Sequence, residues 1–244
     1  MATNPMHQFE VYRIGPEIKL GEIHISFTNA SLFMLISSIA ILFVFNLGTK
    51  KNSVLPSKIQ LLAELSYTFV SKMISDTAGS KAKPYFAFIF SLFMFVLFCN
   101  MFGMIPYTFT VTSHIIVTFI LAIFIFIGVT IIGFIKHGFG YLKLFVPSGV
   151  PVLLLPLIVV IEIISYLSRP VSLSVRLFAN MMAGHTMMKV FGGLVISLGI
   201  LGGWLPLSFS VALTGLEILV AFLQAYVFAI LTCIYLNDAL NLHH

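Results

Sequence analysis

The chain has 244 residues, of which 59% are hydrophobic and only 9% are Asp, Glu, Lys or Arg. Soluble domains carry roughly 25% charged residues, so this composition excludes a protein solvated on all sides by water and indicates one surrounded mainly by lipid. The formal net charge of +5 does not indicate a nucleic-acid partner, because the lysines cluster at the ends of apolar segments. Cys99 and Cys233 lack the spacing of a disulfide framework or metal site, and we expect no cofactor.

The first third of the chain contains one membrane span and one amphipathic segment. Residues 1–28 are mixed and polar, which favours a peripheral N-terminal segment. Residues 29–48 form an apolar run of about 20 residues, long enough to cross a bilayer as a helix. In residues 54–76, apolar side chains recur every three or four positions between charged ones, which predicts an amphipathic helix in the membrane interface. Packing beneath neighbouring helices as a structural floor explains the same pattern equally well.

Residues 84–136 are predicted to form a transmembrane hairpin. The segment has no Asp, Glu, Lys or Arg before Lys136, and it is too long for a single span. Pro106 and the polar residues that follow it mark a turn in the middle. Asn100 and His114 lie near that turn, where each could line a polar path or make a structural hydrogen bond.

The distribution of basic residues sets the orientation in the membrane. Lysines cluster at residues 50–83 and again at Lys136 and Lys143, whereas the loop at residues 106–113 has none. By the positive-inside rule, the lysine side faces the cytoplasm or matrix. We therefore expect the N-terminus outside and the final segment to start inside.

Residues 149–244 are predicted to form a long helix hairpin. A helix from Pro170 to the glycine-rich turn near residue 200 would be about 48 Å long, against a hydrocarbon core of ~30 Å, so it must tilt steeply. A second long helix then ends near Asn237. The predicted fold is an all-α integral membrane protein with one N-terminal transmembrane helix, an interfacial helix, a transmembrane hairpin and this strongly tilted C-terminal hairpin.

Ionisable residues inside the final apolar runs are expensive to bury in lipid and are functional candidates for that reason. In an antiparallel hairpin, residues equally far from the turn lie at the same level. This rule predicts three polar pairs, in order from the inside to the outside: Glu162 with Asp238, Arg176 with Gln224, and His185 with Glu217.

Helical rotation supports this arrangement in part. Glu217, Gln224 and Asp238 are spaced by multiples of seven and share one stripe. His185 lies nine residues after Arg176, which is half a rotation, so one ideal helix points the two side chains apart. Either the helix bends, or the two residues serve different walls.

The chemistry of these pairs favours a proton path interrupted by a fixed charge. Glu and His can exchange protons near physiological pH, whereas arginine cannot be deprotonated in proteins. Gln224 is neutral, so the anion that Arg176 attracts is expected on another protein. We expect structural roles for Arg169 and Lys189. For Glu162, the alternative to a place in the proton path is a carboxyl group that is hydrogen-bonded within a helix contact.

Three blocks of the sequence resemble subunit a (subunit 6) of the F-type ATP synthase: CNMFGMIPYTFTVTSH, RPVSLSVRLFANMMAGH and TGLEILVAFLQAYVFAIL. The similarity runs from about residue 25 to the end. It implies that Arg176 is the essential arginine facing a carboxylate on each c subunit of a rotating ring. It also implies that the channel-lining positions are Asn180, His185, Glu217 and Gln224, and that Glu162 and Asp238 match less universal acidic positions.

The resemblance implies a non-catalytic stator subunit with two offset proton half-channels separated by Arg176. Its expected partners are the c-ring, the peripheral stalk, other membrane-sector subunits and the lipid bilayer. The order of His185 and Glu217 resembles mitochondrial and alphaproteobacterial forms, which favours the mitochondrial inner membrane, with a bacterial inner membrane as the alternative. Two rival hypotheses are a stand-alone channel or transporter with an anion site at Arg176, and a structural subunit without conduction.

Overall fold

The computed structural model describes residues 9–15, 18–20, 23–49, 56–105, 108–146 and 154–241. These residues are almost entirely helical, which confirms the all-α prediction. The α-helices are α1 (Asn29–Thr49), α2 (Lys58–Ala78), α3 (Phe86–Gly103), α4 (Ile115–His137), α5 (Leu155–Gly202) and α6 (Trp204–Leu240). Short 3₁₀ segments cover Ser80–Tyr85, Val111–Ser113 and Gly138–Phe145. The sequence did not predict the small antiparallel hairpin of β1 (Ile18–Leu20) and β2 (Ile23–Ile25).

Five helical segments of the described chain are long and apolar enough to cross a membrane. They comprise α1, α3 with the 3₁₀ turn before it, α4 with part of the 3₁₀ segment after it, α5 and α6. Helix α2 is not one of them, because charged residues interrupt its apolar face. Its first turn is capped by Ser57, whose hydroxyl oxygen accepts a hydrogen bond from the Gln60 amide at 3.3 Å.

Helix α5 lies within the predicted range of 149–244. It starts at Leu155 and continues through Pro170, so it is longer than the segment from Pro170 to the glycine-rich turn on which the length estimate rests. From Leu155 to Gly199 it covers 45 residues, or about 67 Å at 1.5 Å per residue. This length exceeds the ~30 Å hydrocarbon core by a wide margin. The steep tilt of the C-terminal hairpin stays a prediction.

The glycine-rich turn between α5 and α6 contains a backbone conformation that requires glycine. Gly199 has φ 63° and ψ −162°, a region open essentially to glycine alone. A Cβ atom on Gly203 would lie 2.6 Å from the Gly199 carbonyl oxygen. The two helices can therefore meet in a tight turn only because neither position carries a side chain.

The chain forms two compact units, and helices α5 and α6 contribute to both. The first unit comprises Met1–Ala63, Met94–His114 and Leu177–Ala225, and the second comprises Glu64–Phe93, Ile115–Arg176 and Tyr226–His244. Within each unit, contacts between α5 and α6 pair residues in antiparallel order. Arg169 thus contacts Asp238 in the second unit, and His185 contacts Glu217 in the first.

We predict that Gly199→Ala destabilises the chain by about 1–3 kcal/mol through backbone strain alone, because no atom of the described residues lies within 4 Å of the place that the new methyl group would take. Gly192→Ala is the matched control, since Gly192 has open space around it and no positive φ. Its expected effect is neutral or slightly stabilising. The measurement is an SDS titration of the purified chain in detergent micelles, followed by helical circular dichroism. Equal midpoints for the two variants would contradict the prediction.

Candidate functional site

A buried ionisable pair lies in the first unit. His185 on α5 places its Nε2 atom 3.6 Å from Oε1 of Glu217 on α6, and the two side chains are only 8% and 5% exposed. This contact confirms the predicted pairing of His185 with Glu217. The antiparallel hairpin explains it, because both residues lie about 16 positions from the glycine turn.

Two residues that the sequence did not single out also contact His185. Thr110, in the loop between α3 and α4, holds its hydroxyl oxygen 3.2 Å from the histidine Nε2 atom. The ring of Phe9 packs edge-on against the imidazole, with ring centroids 6.4 Å apart. The hydroxyl can donate to or accept from the ring nitrogen, whichever tautomer is present. The N-terminal segment and the 106–113 loop therefore both reach this site.

The carboxyl group of Glu217 occupies a space made by a glycine. Neither of its oxygens has a hydrogen-bond partner among the residues that the structure describes. A Cβ atom on Gly184 would lie 2.6 Å from Oε1 and 2.8 Å from Cδ of Glu217. A buried carboxyl group without fixed donors is available to exchange a proton with water or with the adjacent imidazole.

Gln224 has a different partner from the predicted one. The prediction placed it level with Arg176, but its Oε1 atom accepts a hydrogen bond from Nδ2 of Asn180 at 3.1 Å. Asn180 lies one turn after Arg176, so the error is a single helical turn. Gln224 is buried, and its Nε2 atom has no partner within the described part of the chain.

Arg176 is exposed and makes no hydrogen bond or ion pair with the residues described here. His185, nine residues later on the same helix, is buried. The two side chains therefore differ in exposure, and both interpretations of their spacing stay open. Arg176 thus presents its charge to the surroundings rather than to an acid of its own described chain.

The second unit contains an ion pair that the sequence analysis missed. Nη1 of Arg169 donates to Oδ2 of Asp238 at 3.1 Å. The predicted pairing of Asp238 with Glu162 is wrong, because Glu162 lies two turns before Arg169 on α5. The equal-distance rule treats both helices as straight and parallel, and its error accumulates over the roughly thirty residues that separate Arg169 from the turn.

Two tyrosines hold the Arg169 guanidinium from the sides. Its Cζ atom lies 5.3 Å from the ring centroid of Tyr166 and 5.0 Å from that of Tyr235. The hydroxyl of Tyr166 is in turn 2.7 Å from the Thr130 hydroxyl and 2.9 Å from the Tyr141 hydroxyl. The carboxylate of Asp238 offsets the charge of this arginine within its own unit, and the cation–π contacts stabilise the guanidinium further. The arrangement agrees with the structural interpretation of Arg169.

The structure also bears on the two polar residues near the predicted hairpin turn. Nδ2 of the buried Asn100 donates to the Ala221 carbonyl oxygen at 3.1 Å, which favours the structural alternative for that residue. His114 stacks on Phe109 with ring centroids 4.9 Å apart. Among the described residues, no group of three His, Cys, Asp or Glu side chains could hold a metal ion.

These features define a multi-pass helical membrane protein with ionisable groups inside its apolar helices, the pattern that marks ion and proton pathways. The sequence pattern of the ATP synthase A chain family matches residues 31–237. The chain belongs to this family. Members of this family are the proton-translocating stator subunit of the membrane sector of ATP synthase.

Several bacterial proteins are similar to the chain along its whole length. The ATP synthase subunit a of Pelagibacter ubique is 91% identical over 244 residues, which cover all of both chains. The subunits a of a Chelativorans species and of Rhizobium rhizogenes are each 58% identical, with at least 98% of both chains covered. Because these relatives are bacterial, they do not support the preference for a mitochondrial inner membrane.

We predict that Gly184→Ala lowers proton flow through the assembled membrane sector by roughly fivefold, which corresponds to an overpacking penalty of ~1 kcal/mol at the Glu217 carboxyl group. Gly193→Ala is the control, because it adds the same methyl group to α5 where nothing in the described chain lies within 4 Å. The measurement is passive proton conductance of vesicles under an imposed potential. Unchanged conductance in the Gly184 variant would show that the carboxyl position is not critical.

Proposed function

We propose that this chain provides two offset proton half-channels separated by Arg176, and that it couples proton flow to rotation of a ring of c subunits. The observation that carries the proposal is the exposed guanidinium of Arg176 in the middle of an apolar helix. A charge at the centre of a bilayer costs ~2.5–3.5 kcal/mol on insertion scales. A carboxylate on a neighbouring subunit offsets that penalty, and no acid of the described chain does so.

The outer half-channel is proposed to end at His185 and Glu217. Both side chains can carry a proton, and they lie 3.6 Å apart without fixed donors to the carboxyl group among the described residues. The two segments that reach His185, through Phe9 and Thr110, are the ones that the lysine distribution places on the outside. A proton arriving from that side therefore meets these groups first.

The inner half-channel is proposed to run near Glu162 and Asp238. Asp238 forms an ion pair with Arg169 on α5. Glu162 lies seven residues before Arg169, on the same face of α5. These two carboxyl groups are the proposed proton-exchanging groups of the inner path.

The cycle follows from the cost of placing charge in lipid. A proton from the outer path neutralises a carboxylate of the ring, and the neutral site can then enter the lipid, which an ionised carboxylate cannot. After nearly a full turn, the site loses its proton to the inner path. The carboxylate is then attracted by Arg176, which blocks backward rotation and direct proton leakage. A membrane potential supplies ~2.3 kcal/mol per proton per 100 mV.

The chain is proposed to make no ATP itself. Its sequence has no Gly-rich phosphate loop of the GxxxxGK[ST] type, and the rotation that it drives is used by separate catalytic subunits. The peripheral stalk is the proposed partner that keeps the chain from turning with the ring. The bacterial relatives favour an energy-transducing bacterial inner membrane as its location.

We predict that Arg176→Ala abolishes proton-driven ATP synthesis while the complex still assembles, because only the attraction for the ring carboxylate is lost. Arg176→Lys keeps a positive charge without the planar fork and should retain at most a small fraction of the rate. Lys72→Ala, on the amphipathic α2, is the control for loss of one positive charge. The measurement is ATP synthesis by reconstituted vesicles. Synthesis at the wild-type rate in the Arg176→Ala variant would refute the proposal.

We predict that His185→Ala and Glu217→Ala each slow proton flow without stopping it, and that the double variant is no slower than the slower single one. Two groups that act in series on one path give such non-additive effects. Glu64→Ala, on α2, is the control for loss of a carboxylate elsewhere. The measurement is proton conductance at several pH values. Fully additive losses would separate the two residues into independent roles.

The rival stand-alone channel makes an opposite prediction for the isolated chain. If Arg176 were an anion site of a transporter, the purified chain alone in liposomes would give sustained, ligand-dependent flux. Under the proposed function, flux requires the c-ring, because the two paths do not join. We expect no sustained flux until the ring is added, as measured with a pH-sensitive dye inside the liposomes.

A further inference from the structure

A cavity of about 340 Å³ in the second unit has no part in the proposed proton paths. Its walls are formed by side chains at the ends of three helices, chiefly Lys81, Tyr85, Ile132, Ile135, Lys136 and Leu240. The volume lies within the range of ~300–1,000 Å³ that is usual for small-molecule sites. The cavity therefore has room for a ligand group and combines two positive charges with apolar walls.

The chain topology places this cavity at the inner membrane interface. Lys81 lies in the 3₁₀ turn that leads into α3, Lys136 lies in the last turn of α4, and Leu240 is the last residue of α6. In the predicted orientation α3 begins inside, while α4 and α6 end inside. All three positions are thus at the level of the inner-leaflet headgroups.

The cavity has unused capacity to bind an anion. The Lys81 ammonium group has three N–H donors, and one of them donates to Oδ1 of Asn241 at 2.6 Å. Lys136 presents an exposed side chain at the same cavity.

We propose that this cavity binds the phosphate headgroup of an anionic phospholipid from the inner leaflet. The two lysines complement the phosphate, and the acyl chains lie along Ile132 and the 81%-exposed Ile135. A free phosphate ion would gain nothing from that apolar wall, whereas a lipid uses both parts of the cavity. Basic pockets between membrane helices on the inner side recognise such headgroups through the same combination of charge and apolar surface.

The test measures phosphatidylglycerol bound to the purified, assembled complex in phosphatidylcholine nanodiscs, by native mass spectrometry. Lys81→Gln and Lys136→Gln should each weaken the apparent affinity about fivefold, and the double variant about thirtyfold. The double Lys→Arg variant keeps both charges and should retain binding. Lys58→Gln, which removes a lysine charge at the start of α2 outside the cavity, is the matched control and should bind as the wild type does.

Two further experiments can refute the proposal. Inorganic phosphate at the same concentration should not displace the lipid, and complete displacement would assign the site to a free anion and overturn the proposal. A photoreactive phosphatidylglycerol should label the wild-type complex at the peptides that contain Tyr85 and Ile135. Labelling spread evenly over all spans would overturn the proposal even where the Gln variants fail to assemble.

Discussion

The protein depends on one electrostatic constraint, which is that a permanent positive charge must stay within an apolar layer. Arginine keeps its charge in proteins, so the penalty of placing Arg176 among hydrocarbon chains cannot be removed by deprotonation, and an anion is the partner that offsets it most directly. The described chain does not supply that anion. The proposed function derives both the partner acid and the separation of its two half-channels from this constraint, because the Arg176 guanidinium repels a proton.

The comparison of Arg169 with Arg176 shows how one helix assigns opposite roles to the same residue type. Arg169 has an ion pair with Asp238 and the faces of two tyrosine rings. Arg176, two turns later, is exposed and has no such partner among the residues described. The first arginine is therefore held within its own unit, whereas the second is the one that the proposed function assigns to a carboxylate of the ring.

The sequence was sufficient for the helices, because hydropathy and helical periodicity follow directly from residue type. It also paired His185 with Glu217, since both lie close to the turn that sets the register. It failed for Asp238, far from that turn, where small departures from straight parallel helices exceed one helical turn. The contact of Thr110 with His185 could not be predicted from the sequence, because loop residues have no periodicity from which to calculate their position.

The Glu217 site depends on two groups that are absent from the described residues around it, namely a side chain on Gly184 and fixed hydrogen-bond donors to the carboxyl oxygens. Gly184 leaves out the one methyl group that would collide with the carboxyl group, and the surroundings provide no described donor that would fix its oxygens. A strong fixed donor would hold the carboxylate ionised and slow its protonation, whereas a tightly packed neighbour would displace it from His185. The proposed proton transfer through Glu217 requires a carboxyl group that is held in position without fixed hydrogen-bond donors, and a glycine on the facing helix leaves room for such a group without adding any polar atom.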